Sequence, residues 1–107
     1  MNILSIGGSD PSSGAGIQND VKTISSLDGN CFTVITAITS QNTRKFSSVE
    51  PVSPKAIANQ IESIFSDFKI DAIKIGMVYN SAIIKAIYSK LRRIGIPIIL
   101  EIGRAHV

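Results

Sequence analysis

The sequence predicts an α/β domain with a mostly parallel sheet and helices on its faces. Short apolar or β-branched runs alternate with segments whose apolar residues recur at helical spacing. Their order is strand, helix, strand, helix, strand, helix, strand, which is typical of crossover units that return the chain to a parallel strand. The 107 residues are enough for one small domain and too few for two.

The first half of the chain predicts two strands and the helix between them. The apolar run NILSIGG predicts a buried strand near the N-terminus, and the β-branched stretch from Cys31 to Thr39 predicts the second strand. Between them, residues 15–27 follow a helical period. The apolar face of this helix comprises Ile17, Val21, Ile24 and Leu27. The sequence SSVEPV, after the second strand, predicts a short extended piece.

The second half predicts two further helices, each followed by a strand. Ser53 is typical of a helix cap, and the apolar face of the helix that it begins comprises Ile57, Ile61, Ile64, Phe65 and Phe68. The next helix begins after Asn80 or Ser81. Its apolar face comprises Ile83, Ile84, Ile87, Leu91 and Ile94. Strands are predicted at residues 70–77 and 96–100.

The composition favours a globular protein of the cytoplasm. Hydrophobic residues make up 44% of the chain and charged residues 18%, as in proteins with a buried core. The single cysteine, Cys31, excludes an internal disulfide and fits a reducing compartment. No apolar run approaches the roughly 20 residues of a membrane span, and no secretory signal pattern is present. The net charge of +3 is not gathered into a basic stripe with aromatics. We therefore expect neither a membrane partner nor a nucleic-acid partner.

The stretch GGSDPSSGAGIQND, from Gly7 to Asp20, leads from the first strand into the first helix. It does not satisfy the dinucleotide pattern, because Asn19 stands where the third glycine belongs, and no Gly-Lys-Ser/Thr tripeptide forms a P-loop. Two interpretations remain open on the residues alone. Either the bare backbone lets a flat ligand approach while Asp20 accepts its hydrogen bonds, or Asp20 is a solvated anion near a helix N-terminus.

Two charged residues of the sequence carry structural expectations. Asp10 precedes Pro11 and most simply forms a turn. Lys74 interrupts an apolar strand, so its ammonium group should either reach the edge of the sheet or find a carboxylate partner.

Three motifs in register resemble the hydroxymethylpyrimidine and phosphomethylpyrimidine kinases of thiamine biosynthesis. They are GGSDPSSGAGIQNDVKT, VITAITSQNT and DAIKIGM, and the resemblance extends from Ile3 to Leu100. It implies a ribokinase-like fold, of which this chain would be the N-terminal portion. It also implies a small-molecule pyrimidine substrate, namely 4-amino-5-hydroxymethyl-2-methylpyrimidine or its monophosphate.

The resemblance implies a set of substrate-binding residues. The carboxylate of Asp20 and the amide of Gln41 would hydrogen-bond the aminopyrimidine, which presents both donors and acceptors. Backbone near Gly8 and Ala15 would lie against the ring, and Met77 would line the same pocket.

The resemblance also implies parts that this sequence lacks. The family's ATP site, its Mg²⁺ and its catalytic residue belong to its C-terminal half, so we expect no catalytic residue in this chain and no activity from it alone. We assign residues 1–100 to the pyrimidine-binding portion. After PIIL the family continues with Asp, Pro and a Met-containing loop, whereas this sequence reads EIGRAHV. One codon string for these seven residues contains the start of a common sequencing adapter, so we expect 101–107 to be a non-native tail, which includes His106.

Three alternatives stand beside this interpretation. A pyridoxal kinase of the same superfamily has a similarly flat heteroaromatic substrate. A non-catalytic module would bind a small heterocycle without converting it. An open reading frame without a stable folded product is the third, since a parallel sheet that ends at its fourth strand has an uncovered edge. In full-length form the family also implies a homodimer.

Overall fold

A five-stranded sheet forms the centre of residues 1–101, the part of the chain that the computed structural model describes. In chain order the elements are β1 (Asn2–Ser9), α1 (Gly16–Ser26), β2 (Asn30–Gln41), β3 (Phe46–Pro51), α2 (Pro54–Phe65), β4 (Ala72–Ile75), α3 (Ser81–Leu91) and β5 (Ile98–Leu100). The strands lie in the order β3-β2-β1-β4-β5. All neighbouring strands are parallel except β2 and β3, which are antiparallel. The predicted mostly parallel sheet is confirmed.

The extended piece after the second strand is a strand in its own right. SSVEPV was expected only to be extended, but most of it belongs to β3, which pairs along the second half of β2. The piece is polar and ends in proline, so its letters lack the apolar alternation of a buried strand; as an edge strand it needs none. Conversely, the strand predicted at 70–77 is confined to Ala72–Ile75. Residues 102–107, and with them most of the expected tail and His106, lie outside the described residues.

The hydrophobic core lies on one face of the sheet, under α2 and α3. Leu4 and Ile6 of β1 are fully buried there, because side chains two positions apart share a face of a strand. The other members of this cluster are Val34, Ile57, Ile61, Ile70, Ile73, Ile75, Ile83, Ile87 and Leu91. Ile84 was expected on the apolar face of α3 but is 48% exposed, since it lies one residue off the buried stripe.

The opposite face of the sheet carries α1 and is much more polar. Ser5 and Gly7 alternate with the core residues of β1 and therefore project towards α1. Ile17 is the buried residue of α1, and its Cγ2 lies 3.7 Å from the position that a Cβ on Gly7 would occupy. Lys74 pairs in register with Ser5, so it projects from the same face. Little apolar burial therefore holds α1 to the sheet.

The two sides of the sheet differ in how the backbone groups of their outer strands are satisfied. At the first half of β2, which β3 does not cover, the amide of Gln60 on α2 satisfies the backbone of Ile35, since it accepts from the N–H at 2.8 Å and donates to the C=O at 3.0 Å. At the other side β5 is the last strand of the described sheet, and its three residues are all exposed.

Gly16 cannot be replaced by a residue with a side chain. Its φ is +65°, and a Cβ there would lie 2.5 Å from the carbonyl oxygen of Gly8. Gly95 has a similar φ of +71° but nothing within 4 Å, so it offers a matched control. We expect Gly95→Ala to lower the free energy of unfolding by about 1–2 kcal/mol through backbone strain alone. Gly16→Ala should cost about 1–3 kcal/mol more, because the clash adds to the same strain. Urea unfolding measures both, and equal losses would contradict the proposed contact.

Candidate functional site

The loop between β1 and α1 is organised around the carboxylate of Asp10. Its Oδ1 accepts from the backbone N–H of Ser12 at 2.9 Å and from the hydroxyl of Ser12 at 2.7 Å. Its Oδ2 accepts from the N–H groups of Gly14 at 3.0 Å and Ala15 at 2.9 Å. The turn expected at Asp10 is present, since the N–H of Ser13 donates to the Asp10 carbonyl at 2.9 Å. Asp10 is only 3% exposed, so this side chain is an internal part of the loop.

These contacts also set the charge of Asp10. Burial alone would raise the pKa of the carboxyl, but the hydrogen bonds from Ser12, Ala15 and Gly14 together outweigh burial and lower the pKa below its ordinary value. The loop is further fixed by Gln18 of α1, whose Oε1 accepts from the Asp10 N–H at 2.8 Å. The Nε2 of Gln18 donates to the hydroxyl of Ser9 at 2.7 Å. The end of β1 and the start of α1 are therefore joined by side chains on both sides of the loop.

An ion pair joins α1 to the sheet. The ammonium group of Lys74 lies 2.9 Å and 2.8 Å from the two oxygens of Asp20, and the hydroxyl of Ser5 donates to the same carboxylate at 2.7 Å. Glu101 completes the cluster, with its carboxylate 2.9 Å from Lys74. The side chains of Lys74 and Asp20 are 24% and 16% exposed, so the pair is largely shielded from water. The expected carboxylate partner of Lys74 is therefore Asp20, with Glu101 as a second.

This cluster lies in a cavity of about 500 Å³ between α1 and the sheet. Burial would lower the pKa of Lys74, but its bonds with Asp20 and Glu101 raise the pKa above the ordinary value. The ammonium therefore stays charged, in a cluster with one positive and two negative groups. The cavity is also lined by Ala15 and Asn19, and by apolar side chains of the strands and α1.

A second group of the expected site residues lies at the carboxyl end of the sheet. A Cβ on Gly8 would lie 2.8 Å from the Sδ of Met77, so Met77 covers the bare backbone of Gly8. Thr36 supports this position by donating from its hydroxyl to the Met77 carbonyl at 2.6 Å. The Nε2 of Gln41 donates to Thr39 at 2.8 Å. Gly8 pairs with Ala37, four residues before Gln41 on β2.

The structure does not bring Asp20 and Gln41 together. Asp20 is bonded to Ser5, which pairs with Thr33, whereas the amide of Gln41 is bonded to Thr39, six residues further along β2. At about 3.3 Å per residue this is a separation of roughly 15–20 Å along the strand. Gln41 is not among the residues that line the cavity at Asp20. The reason is that Asp20 lies a full turn inside α1, so it faces the middle of β1 and not its end.

The sequence reasoning gave no site role to Asp10 or Lys74. The signal for Asp10 was available, because a short acceptor before proline, followed by serine and glycine, can cap several loop N–H groups at once. For Lys74 the signal was its place in an apolar strand, although nothing in the sequence says which of the acidic residues would face it.

Two kinds of feature are absent from residues 1–101. They contain no group of three or more His, Cys, Asp and Glu side chains arranged to hold a metal ion. None of their helices is long and apolar enough to cross a membrane.

The fold and the placement of these loops define the class of protein. A parallel α/β sheet with small and polar residues at the carboxyl ends of β1, β2 and β4 is typical of proteins that bind a small ligand at that edge. The chain belongs to the phosphomethylpyrimidine kinase family, whose sequence model matches residues 10–101. The match includes loop 10–15 and the ends of β2 and β4.

Individual relatives agree with this assignment. The chain is 47% identical over 93 residues to the hydroxymethylpyrimidine/phosphomethylpyrimidine kinase of Escherichia coli, which covers 87% of this chain and 35% of the relative. It superimposes on the crystal structure of phosphomethylpyrimidine kinase from Clostridium difficile with a TM-score of 0.90 and 42% identity, over 94% of this chain and 44% of that one. For a pyridoxal kinase from Staphylococcus aureus, solved with AMP-PCP and pyridoxal, the TM-score is 0.81 and the sequence identity is 33%. The superposition covers 92% of this chain and 37% of that one.

These comparisons confirm the ribokinase-like fold and the resemblance on which it was predicted. They also show that the chain spans about a third of the length of the curated relatives that it matches, in their N-terminal part.

Removal of the Lys74 ammonium should destabilise the protein. Lys74→Met leaves Asp20 and Glu101 close together without the cation between them, so we expect the free energy of unfolding to fall by about 2 kcal/mol. Lys90→Met is the control, because it removes a lysine whose partner, Glu62, is exposed, and it should change stability much less. Urea unfolding of both variants measures the difference. Adding Asp20→Asn to Lys74→Met should recover part of the loss; purely additive effects would show that the two side chains do not interact.

The stability of the protein should depend on the ionisation of Asp10. Because its folded pKa is lowered, Asp10 stabilises the fold above its unfolded pKa of about 3.9, and this contribution disappears as the pH falls through the folded value. We expect the free energies of unfolding of the wild type and Asp10→Asn to differ at about pH 6 and to converge as the pH falls through the lowered folded pKa. Urea unfolding across this range measures both curves. Parallel curves would mean that the charge of Asp10 does not support the loop.

Proposed function

We propose that this chain is the pyrimidine-binding portion of an ATP-dependent kinase of thiamine biosynthesis. Its substrate would be 4-amino-5-hydroxymethyl-2-methylpyrimidine, its monophosphate, or both. The observation that carries the proposal is the family match over residues 10–101, which includes the loops at the carboxyl edge of the sheet. Further support comes from relatives named hydroxymethylpyrimidine/phosphomethylpyrimidine kinase and thiamine biosynthesis bifunctional protein.

The proposed pyrimidine site is the sheet edge at Gly8, Met77 and Gln41. Because Gly8 has no Cβ, Met77 packs closely on its backbone, and the thioether of Met77 offers a flat ring an apolar and adaptable wall. The amide of Gln41 uses Nε2 for Thr39. Its Oε1 is an acceptor of the kind that the exocyclic amine of an aminopyrimidine requires.

Asp20 enters the proposal at a different place. Ala15 precedes Gly16, which lies against the carbonyl of Gly8, so it belongs beside the proposed edge, whereas the carboxylate of Asp20 lies in the cavity beside α1 and already accepts from Lys74 and Ser5. A ring held by Gln41 would not reach that carboxylate at the separation described above. Direct contact of Asp20 with the substrate therefore stays a prediction. Separate variants of Asp20 and Gln41, described below, test the two contacts independently.

The kinase chemistry would rely on groups beyond the described residues. ATP would supply the phosphoryl group and Mg²⁺ would balance its charge during in-line transfer to the substrate hydroxyl. The buried carboxylates described here do not suit that metal, because Asp10 is bonded within its loop and Asp20 is paired with Lys74. We therefore propose that the ATP site, the Mg²⁺ site and the catalytic residue belong to the part of the relatives that this chain does not span, and that the chain alone is inactive. The cytoplasm and a homodimer of the whole protein are part of the same proposal.

A pyridoxal kinase is the second candidate. The Staphylococcus aureus pyridoxal kinase shares the fold with a TM-score of 0.81, and its solved complex contains pyridoxal, another flat heteroaromatic ring. The pyrimidine enzymes remain favoured, because the identity to the Escherichia coli relative is 47% against 33% for this pyridoxal kinase.

Calorimetric titration of the purified chain with each ring compound tests the proposal. Gln41→Ala should weaken pyrimidine binding about tenfold through the loss of one hydrogen bond, while Asn59→Ala, an exposed amide on α2, should leave it unchanged. Asp20→Asn should have little effect if the site is confined to the edge at Gln41, and a comparable loss would add Asp20 to the site.

Three outcomes would count against parts of the proposal. Unchanged binding in Gln41→Ala would remove the site from this edge. Tighter binding of pyridoxal than of the pyrimidine would favour the second candidate. ATP-dependent phosphorylation by the chain alone would contradict its catalytic incompleteness.

A further inference from the structure

A loop that joins a parallel strand to a helix N-terminus is a common place for phosphate groups. Its free N–H groups and the helix dipole favour an anion there. In this protein loop 10–15 lies between a parallel strand and a helix N-terminus and contains small residues, but its sequence fits neither the dinucleotide-binding pattern nor the P-loop. The contacts of Asp10 offer a physical reason why the loop would not bind a phosphate.

The anion position of loop 10–15 is already filled by a side chain of the loop itself. The carboxylate of Asp10 accepts from three backbone N–H groups and one hydroxyl, at distances of 2.7–3.0 Å. Ser13 and Gly16 have φ values of +63° and +65°, and such a left-handed turn is typical of backbone that folds around an anion. Asp10 as a residue is only 3% exposed in this arrangement.

The same carboxylate binds the backbone immediately before the first turn of α1. Ala15 is the cap residue of α1, and its side chain cannot accept a hydrogen bond from the first turn. Asp10 satisfies the N–H of Ala15 and that of Gly14 from five and four residues upstream. An external phosphate would have to displace the carboxylate, and the displaced charge would remain beside it as a repulsive neighbour.

We propose that Asp10 is a specificity-determining and positioning residue that keeps phosphate groups out of loop 10–15. The carboxylate fixes the shape of the loop and occupies its N–H groups with a negative charge, so the loop offers no free donors to a second anion. A ligand that carries a phosphate must then direct it away from this loop. This inference concerns the loop alone and does not depend on the proposed kinase function.

Chemical rescue of Asp10→Ala tests the proposal. The variant removes the internal carboxylate and leaves room for formate, a carboxylate of the same size, or for inorganic phosphate. We expect the variant to unfold at a lower temperature than the wild type. Formate or phosphate should then raise its unfolding temperature by about 4 °C or more in a saturable manner, and chloride at the same ionic strength should not. Asp67→Ala, which removes an exposed carboxylate after α2, is the matched control and should show no such rescue.

A second measurement locates the effect. In two-dimensional NMR spectra of the backbone amides, phosphate should shift the N–H signals of Gly14 and Ala15 in Asp10→Ala. The same signals should not move in the wild type. If Asp10→Ala is unfolded without an anion, recovery of its helical circular dichroism on adding formate gives the same answer.

Several results would overturn the proposal. A wild type that binds phosphate at these two amides shows that Asp10 does not exclude it. Equal rescue by chloride, or no rescue of a destabilised or unfolded variant, shows that the loop has no anion position for Asp10 to fill. A variant as stable as the wild type shows that the carboxylate does not organise the loop.

Discussion

The arrangement of α1 on the sheet depends on the ion pair between Asp20 and Lys74. A charged group inside an apolar strand is costly unless it is paired, and Lys74 is paired on both oxygens of Asp20 at 2.8–2.9 Å. Since α1 buries only Ile17 among its apolar residues, hydrophobic contact alone would hold it loosely. The pair therefore supplies the orientation that packing does not, and with it the course of the loop that leads into α1.

The two faces of the sheet differ in polarity and in what they contribute to the protein. Towards α2 and α3 the strands present Leu4, Ile6 and other fully buried aliphatic side chains, which provide the hydrophobic stability. Towards α1 they present a serine, a glycine and a lysine, so specific polar contacts replace close packing. The candidate ligand positions follow this division, because Gly8, Met77 and Gln41 lie beyond the end of the apolar face while Asp20 lies within the polar one.

Most of the fold could be predicted from the sequence, because helical spacing and β-branched runs report directly on burial. The cap of α2 at Ser53 was predicted correctly from the chemistry of its side chain, and of the two residues predicted to begin α3, Asn80 and Ser81, the structure has Asn80 as the cap. β3 was harder, because its side chains are exposed on both faces of the sheet, so no apolar alternation marks it. The site was harder still. Sequence spacing places Asp20 near a loop. The direction in which its side chain points from α1, and the lysine that faces it, depend on tertiary structure.

The outer margin formed by β5 governs how this polypeptide behaves in concentrated solution. Ile98, Ile99 and Leu100 are 41%, 61% and 65% exposed, and the described sheet offers their outward N–H and C=O groups no neighbour. Such a margin readily recruits any extended backbone that it meets, including that of another copy. These three aliphatic residues are therefore a place where a second copy can add a strand, and a polar replacement among them is the natural first step towards a sample suited to spectroscopy.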